Sequence, residues 1–210
     1  MHKTLIALPL LAFALIAAKP APPPVPIASL AAPAAVAADP ANRLNIELSS
    51  GGTVVVQLRP DIAPNHVYRM QMLASQGFYN GLTFHRVIPG FMAQGGDPQG
   101  TGQGGSTLPN VTAEFSSLPH MRGVMAMART EQDLNGGNSQ FFIMLSAGMS
   151  LDNKYTIFGR VISGMQFVDG IAKGEPPEVP TKMVRVWIDG PLPAPPVVAP
   201  APVAEAKPAG

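Results

Sequence analysis

No cysteine occurs among the 210 residues, which excludes a disulfide scaffold, a thiolate metal site, a cysteine nucleophile and lipidation at cysteine. Charge is scarce as well. Only 13% of the residues are charged, about half the usual share of a globular protein. The two signs nearly cancel, at 14 basic against 13 acidic. A chain with no net field offers no footprint for nucleic acid and no polybasic attachment to an anionic membrane. Long apolar runs are also missing. The run from Leu5 to Ala18 has 14 residues, interrupted only by Pro9, and falls short of the roughly 20 that a membrane-spanning helix needs. Behind Met1-His2-Lys3-Thr4 it has the form of a secretory signal. The chain is therefore expected in the periplasm or outside the cell, cut after Ala18 or after Ala38, or membrane-anchored if uncut.

Proline is plentiful but unevenly spread. Residues 1–41 hold 8 of the 24 prolines and residues 191–210 hold 7. Such Ala/Pro-rich segments bury too little to offset chain entropy and are expected to be extended and disordered. The predicted organisation is a signal peptide at 1–18, a disordered linker at 19–41, a folded domain at 42–190 and a disordered tail at 191–210. Within the domain the signs balance at 11 basic and 11 acidic residues.

Strand signals dominate that domain. Leu44, Ile46 and Leu48 alternate with polar residues, Ser49-Ser50-Gly51-Gly52 turns the chain, and Val54-Val55-Val56-Gln57-Leu58 returns. Six further apolar or β-branched runs follow at 83–88, 91–95, 124–128, 140–145, 156–162 and 182–188. Helical spacing appears twice: at Val67, Met70 and Ala74, between Pro64 and Gly77, and at Met165, Val168 and Ala172, before Gly174. Eight short strands with two helices predict a mainly β fold, a closed eight-stranded antiparallel barrel capped by two α-helices.

Several chemistries lack their residues. His2, His66, His85 and His120 form no pair at metal-binding spacing, and there is no HExxH. No metal or cofactor is expected. The glycine string from Gly95 to Gly105 lacks GK[ST] and opens no helix, so it reads as a loop and not a phosphate cradle. Ser139, in Gly137-Asn138-Ser139-Gln140, sits in no nucleophile elbow. His85 reads as a structural hydrogen-bonding residue. Phe84, Phe141 and Ile143 read as barrel core, whereas Met125 and Met127 fit either core or pocket edge.

Two strings remain: Phe84-His85-Arg86-Val87-Ile88-Pro89-Gly90-Phe91-Met92-Ala93-Gln94-Gly95-Gly96-Asp97, and Asn138-Ser139-Gln140-Phe141-Phe142-Ile143. Pro89-Gly90 is a type II turn pair that folds Arg86 back to within a residue or two of Gln94. A cation, amides and apolar walls, with no base and no nucleophile, suit a reaction that stabilises charge without moving atoms between molecules.

From Arg43 to Ile188 the chain resembles a cyclophilin, a peptidyl-prolyl cis-trans isomerase, of the exported bacterial type. The resemblance implies rotation about Xaa-Pro bonds of unfolded or extended proline-containing polypeptides, assisting folding in the cell envelope, by an enzyme that works as a monomer. It implies Arg86 as the catalytic arginine and Gln94 as the amide orienting it. Phe91, Met92, Phe142 and Leu151 then form the proline pocket. Ala128, Arg129, Thr130 and Gln140 contact the substrate backbone, and Gly100 lines the subsite before proline. Two positions depart from cytosolic members: Ser150 stands where those carry a cyclosporin-binding tryptophan, and Tyr155 where they carry a histidine at the pocket. Weak cyclosporin binding is the implied consequence. The segment from Glu131 to Asn138 looks about two residues longer than in those members.

In the twisted transition state the proline nitrogen loses amide resonance and regains a lone pair, which a hydrogen-bond donor stabilises selectively. The alternative on the same barrel is a proline-peptide binder without catalysis, which has no need of a donor at that nitrogen.

Overall fold

The computed structural model describes residues 29–196. The signal peptide, residues 19–28 of the linker and residues 197–210 of the tail lie outside the described residues. Eight strands form one antiparallel sheet: β1 (Arg43–Leu48), β2 (Thr53–Leu58), β3 (Phe84–Ile88), β4 (Met92–Gly95), β5 (Val124–Met127), β6 (Phe141–Met144), β7 (Ile157–Ser163) and β8 (Met183–Ile188). Their order across the sheet is β3-β4-β6-β5-β7-β2-β1-β8. Each lies within one or two residues of a run legible in the sequence.

The barrel is not closed by a ladder, contrary to the expectation. The sheet is a half-barrel whose two edge strands, β3 and β8, meet only along the segments that precede them. Phe84 N–H donates to the Thr181 carbonyl at 3.0 Å, and Met183 N–H to that of Leu82 at 2.8 Å. A single bridge joins Thr83 to Lys182. Beyond that seam β3 turns to another partner. Val87 exchanges backbone hydrogen bonds with Gly174 at 2.8 and 3.0 Å, so the segment that leads into β8, and not β8 itself, lies along the edge of β3.

Two apolar clusters lie on the two faces of the sheet, as strand alternation requires. Phe84, Val87, Ala93, Phe141 and Ile143 belong to the larger, interior cluster, together with Met125 and Met127, both core. Met92, Ala126, Phe142 and Met144 belong to the smaller cluster on the other face. Helix α2 (Pro64–Ser75) closes the interior with Val67, Met70, Leu73 and Ala74. It starts at Pro64, whose missing N–H costs nothing in the first turn. The Glu114 carboxylate caps it by accepting from the Asn65 and His66 backbone N–H groups at 3.1 and 3.0 Å. It ends in a Schellman turn, with Phe78 N–H on the Leu73 carbonyl and Gly77 at φ +69°.

The expected second helix is shorter than its periodicity suggests. It is the single-turn α3 (Met165–Asp169), and it stops at Gly170, not Gly174. The linker also departs from expectation. Its last part carries the five-residue helix α1 (Ala34–Ala38) and a 3₁₀ turn at Pro40–Asn42, and it is docked against the domain. Arg59, 4% exposed, donates from one terminal amino group to the Ser29 and Leu30 carbonyls at 2.9 and 3.3 Å. Its other donors grip the Asp61 carboxylate at 2.8 Å. Leu30 packs against the smaller apolar cluster. The composition of residues 29–41 does not reveal this, because the acceptors are main-chain carbonyls that every residue carries.

Candidate active site

The site lies on the sheet face opposite the interior and is built from cross-strand rows. Pro89 and Gly90 form the tight turn between β3 and β4. Phe91 N–H bonds back to the Ile88 carbonyl at 3.0 Å, and Gly90 takes φ +69°, which suits glycine at the third position of a type II turn. This register sets Arg86 directly opposite Gln94, and Gln94 opposite Phe142 on β6. Directly paired residues share a face, so these three side chains stand in line. One step along, Ile88, Met92 and Met144 form a parallel row. Arginine, amide and aromatic ring thus reach one surface from three strands.

A pocket of about 130 Å³ opens there, lined by Arg86, Phe91, Met92, Gln94, Ala128, Arg129, Phe142, Leu151 and Tyr155. Nine of the residues named from sequence therefore meet in one place. Its aromatic wall is stacked in depth. His120 lies behind Phe142 with ring centroids 6.2 Å apart and planes 20° apart. Tyr155 meets Phe142 edge-on at 5.6 Å, and the Arg129 guanidinium covers the Tyr155 ring at 4.7 Å. Arg129 is otherwise committed to main-chain carbonyls, donating to Lys154 at 2.9 and 2.7 Å and to Thr130 at 2.7 Å.

A neighbouring cavity of about 620 Å³ shares Gln94, Ala128 and Arg129 with the pocket and adds Thr130, Gln140 and the run Gly102 to Ser106. Gly100 is not among the residues lining either space. Gly102 and Gly104 stand there instead. The loop that carries them is organised by Asp97, a 1% exposed carboxylate. Asp97 accepts from the backbone N–H groups of Gln99, Thr101, Gly102 and Gly104 at 2.7 to 3.2 Å. Burial opposes its ionisation, but the four donors together hold it below the usual carboxylate range. Gln140 then ties loop to strand, donating to the Gly102 and Gly104 carbonyls at 3.0 and 2.8 Å.

Gln94 does not hold Arg86 as implied. Its amide donates to Gln140 Oε1 at 2.8 Å, which leaves it an extension of the glycine-loop network. The partner of Arg86 is Glu175, which accepts from Arg86 Nε at 2.6 Å. Sequence reasoning missed Glu175 entirely, since nothing in Gly174-Glu175-Pro176-Pro177 marks it as a neighbour of a residue 89 positions earlier.

The buried histidines have different settings. His85, 6% exposed, has neither ring nitrogen paired, which corrects the expectation of a hydrogen-bonding role. Burial lowers its pKa, with the Asp97 charge acting the other way. His120 bonds to the Asp152 carboxylate through Nδ1 at 2.9 Å, yet burial still lowers its pKa. Ser139 is buried and donates to the Gly96 carbonyl at 2.8 Å, a structural bond. Among the described residues no group of three potential metal ligands gathers. Ser150 is exposed and outside the pocket lining.

Comparison with known proteins identifies the assembly. Residues 43–188 match the family model described as cyclophilin type peptidyl-prolyl cis-trans isomerase/CLD. The chain belongs to the cyclophilin family of peptidyl-prolyl cis-trans isomerases. A probable peptidyl-prolyl cis-trans isomerase of Brucella suis is 45% identical over 171 residues, covering 74% of this chain and 86% of that protein. Among solved structures, a cyclophilin from Hirschia baltica superposes with a TM-score of 0.66 at 32% identity, over 71% of this chain and 74% of that one. A cyclophilin from Cryptosporidium parvum, crystallised in the presence of the dipeptide Ala-Pro, gives 0.65 at 28% identity, over 71% and 99%. Peptidyl-prolyl isomerase activity and a mainly β cyclophilin-like fold follow from this membership.

Proposed function

We propose that this cyclophilin is exported and turns Xaa-Pro bonds of unfolded or extended chains in the cell envelope, with Arg86 as the group that stabilises the twisted bond. The observation carrying the reading is the row formed by Arg86, Gln94 and Phe142, which sets a cation at the rim of an apolar pocket. The proline ring enters among Phe91, Met92, Phe142 and Leu151, the apolar part of the pocket lining. Rotation meets a barrier of about 18–20 kcal/mol in the free peptide. As the bond twists, nitrogen regains its lone pair. A guanidinium donor held beside it binds that state better than either planar form, and the apolar walls strengthen the bond by excluding water. The residues before proline lie over the larger cavity, along Gln140, Thr130 and the Gly102 to Gly104 backbone. No proton changes owner, so neither a cofactor nor a general base has a part.

The balance of 11 acidic and 11 basic residues in residues 42–190 leaves no basic footprint for a nucleic-acid partner. With Ser150 exposed where cytosolic members carry a tryptophan, cyclosporin is expected to bind weakly. Export rests on the N-terminal residues alone. Of the two cleavage points, Ala18 fits the fold, because a cut after Ala38 would strip the docked segment from Arg59.

Substitution Arg86→Ala tests the mechanism in a proline-peptide isomerisation assay. With the far-UV spectrum unchanged, kcat/KM is expected to fall by about 10²–10³-fold, the scale for losing one preorganised donor. A rate near that of the unaltered enzyme would remove Arg86 from this role.

A further inference from the structure

We infer that Glu175 is a positioning residue for the isomerisation, the carboxylate that holds Arg86 in its working orientation. The inference rests on the reading of Arg86 as the donor. Its geometry begins in the backbone. Val87 and Gly174 form an antiparallel bridge in which each N–H reaches the other's carbonyl. One step outward in an antiparallel register, residue 86 faces residue 175, and facing residues present their side chains to the same side. Glu175 therefore extends the row that Arg86, Gln94 and Phe142 make across β3, β4 and β6. Its Oε2 accepts from Arg86 Nε at 2.6 Å.

A free arginine side chain samples many rotamers, and a donor aids a transition state only if it is already aimed when charge develops. Something must hold it. Gln94 is committed to Gln140, and among the described residues Arg86 hydrogen-bonds through its side chain to Glu175 alone. Engaging Nε fixes the plane of the guanidinium while leaving both terminal amino groups to face the pocket that Arg86 lines. The pair is half in water, at 43% and 50% side-chain exposure, and exposed pairs of this kind contribute little to stability. Removing the carboxylate should consequently leave the fold intact and disturb only the aim of Arg86.

Exchange NMR on an Ala-Pro peptide separates the interconversion rate on the enzyme from the peptide Kd. Glu175→Ala is expected to slow on-enzyme interconversion by about 10- to 100-fold, the scale of a misplaced group, with little change in Kd. Glu175→Gln keeps an acceptor for Nε and should recover most of the rate. Wild-type interconversion in Glu175→Ala overturns the inference, and so does a loss in which Kd rises in step with the rate defect and glutamine gives no recovery. Arg86→Ala in the same series separates the two levels. If it is slow while Glu175→Ala is fast, only the role of Glu175 falls; if Arg86→Ala is itself fast, the reading of Arg86 falls first.

Discussion

Removal of residues 29–38 is expected to destabilise the domain without touching its chemistry. Arg59 is the reason. Its side chain is 5% exposed, and two of its four side-chain hydrogen bonds end on the Ser29 and Leu30 carbonyls. The same segment supplies the Val36 carbonyl to the side-chain amides of Asn42 and Gln57 at 3.1 and 3.4 Å. Docking means that these contacts exceed the entropy of ordering the segment. Hydrogen bonds to a charged group set the scale, about 1.5–3 kcal/mol. In a domain of this size each kcal/mol moves Tm by about 2–4 °C, so the chain beginning at Asp39 should melt about 3–12 °C below the chain beginning at Ser29. Calorimetry on the two truncated proteins gives the comparison, with isomerase activity at low temperature retained in both because Arg86 and its row are unaltered. Equal melting temperatures would mean that water replaces the two carbonyls at no cost, and the argument from Arg59 would fail. The proposed export supplies a second check: the mass of the mature protein should place its N-terminus before Ser29.

Stability should also fall on mild acidification. His85 and His120 have lowered pKa values because they are buried, so below the unfolded value of about 6.5 the unfolded chain takes up protons that the folded chain refuses. Stability is complete above that pH and declines as pH drops from about 7 toward 5, and Tm measured across this range should decline less steeply in His85→Gln. Asp97 and Glu114, held below the usual carboxylate range against the opposing effect of burial, extend the decline with the same sign below about pH 4. A Tm flat from pH 7 to 5 would refute the histidine contribution. Separately, Ser150→Trp should tighten cyclosporin binding by at least about tenfold, measured by titration calorimetry, on the scale of about 1.4 kcal/mol or more for an aromatic contact; an unchanged affinity would show that residue 150 does not set it.

Much of this molecule was legible because its strands are amphipathic on a local scale. Leu44, Ile46 and Leu48 announce an inward face within six residues, and Pro89-Gly90 announces a turn whose consequence, Arg86 opposite Gln94, needs no knowledge of the rest of the chain. What escaped was set by contacts between distant segments. The seam between the edge strands is confined to the bridge at Thr83 and Lys182, so a barrel that the strand count alone would close remains a half-barrel. His120, whose ring backs Phe142, comes from an irregular stretch around Pro119 where no periodicity operates. Residues 29–41 read as spacer because alanine and proline bury little, whereas their docking depends on main-chain carbonyls and one buried arginine.

The Val87–Gly174 bridge accounts for Glu175, which nothing in its local sequence marks. In the antiparallel register of the Thr83–Lys182 bridge it is the segment leading into β8, and not β8, that runs beside β3. One residue beyond Gly174 that segment brings Glu175 to Arg86. The anchoring of the arginine is thus the result of one backbone contact between distant segments. That contact also explains why Gln94 is free to serve the glycine loop. With Glu175 on Arg86 Nε, the amide facing Arg86 from the other strand can donate to Gln140, and the donor site and the subsite loop are held by separate sets of hydrogen bonds.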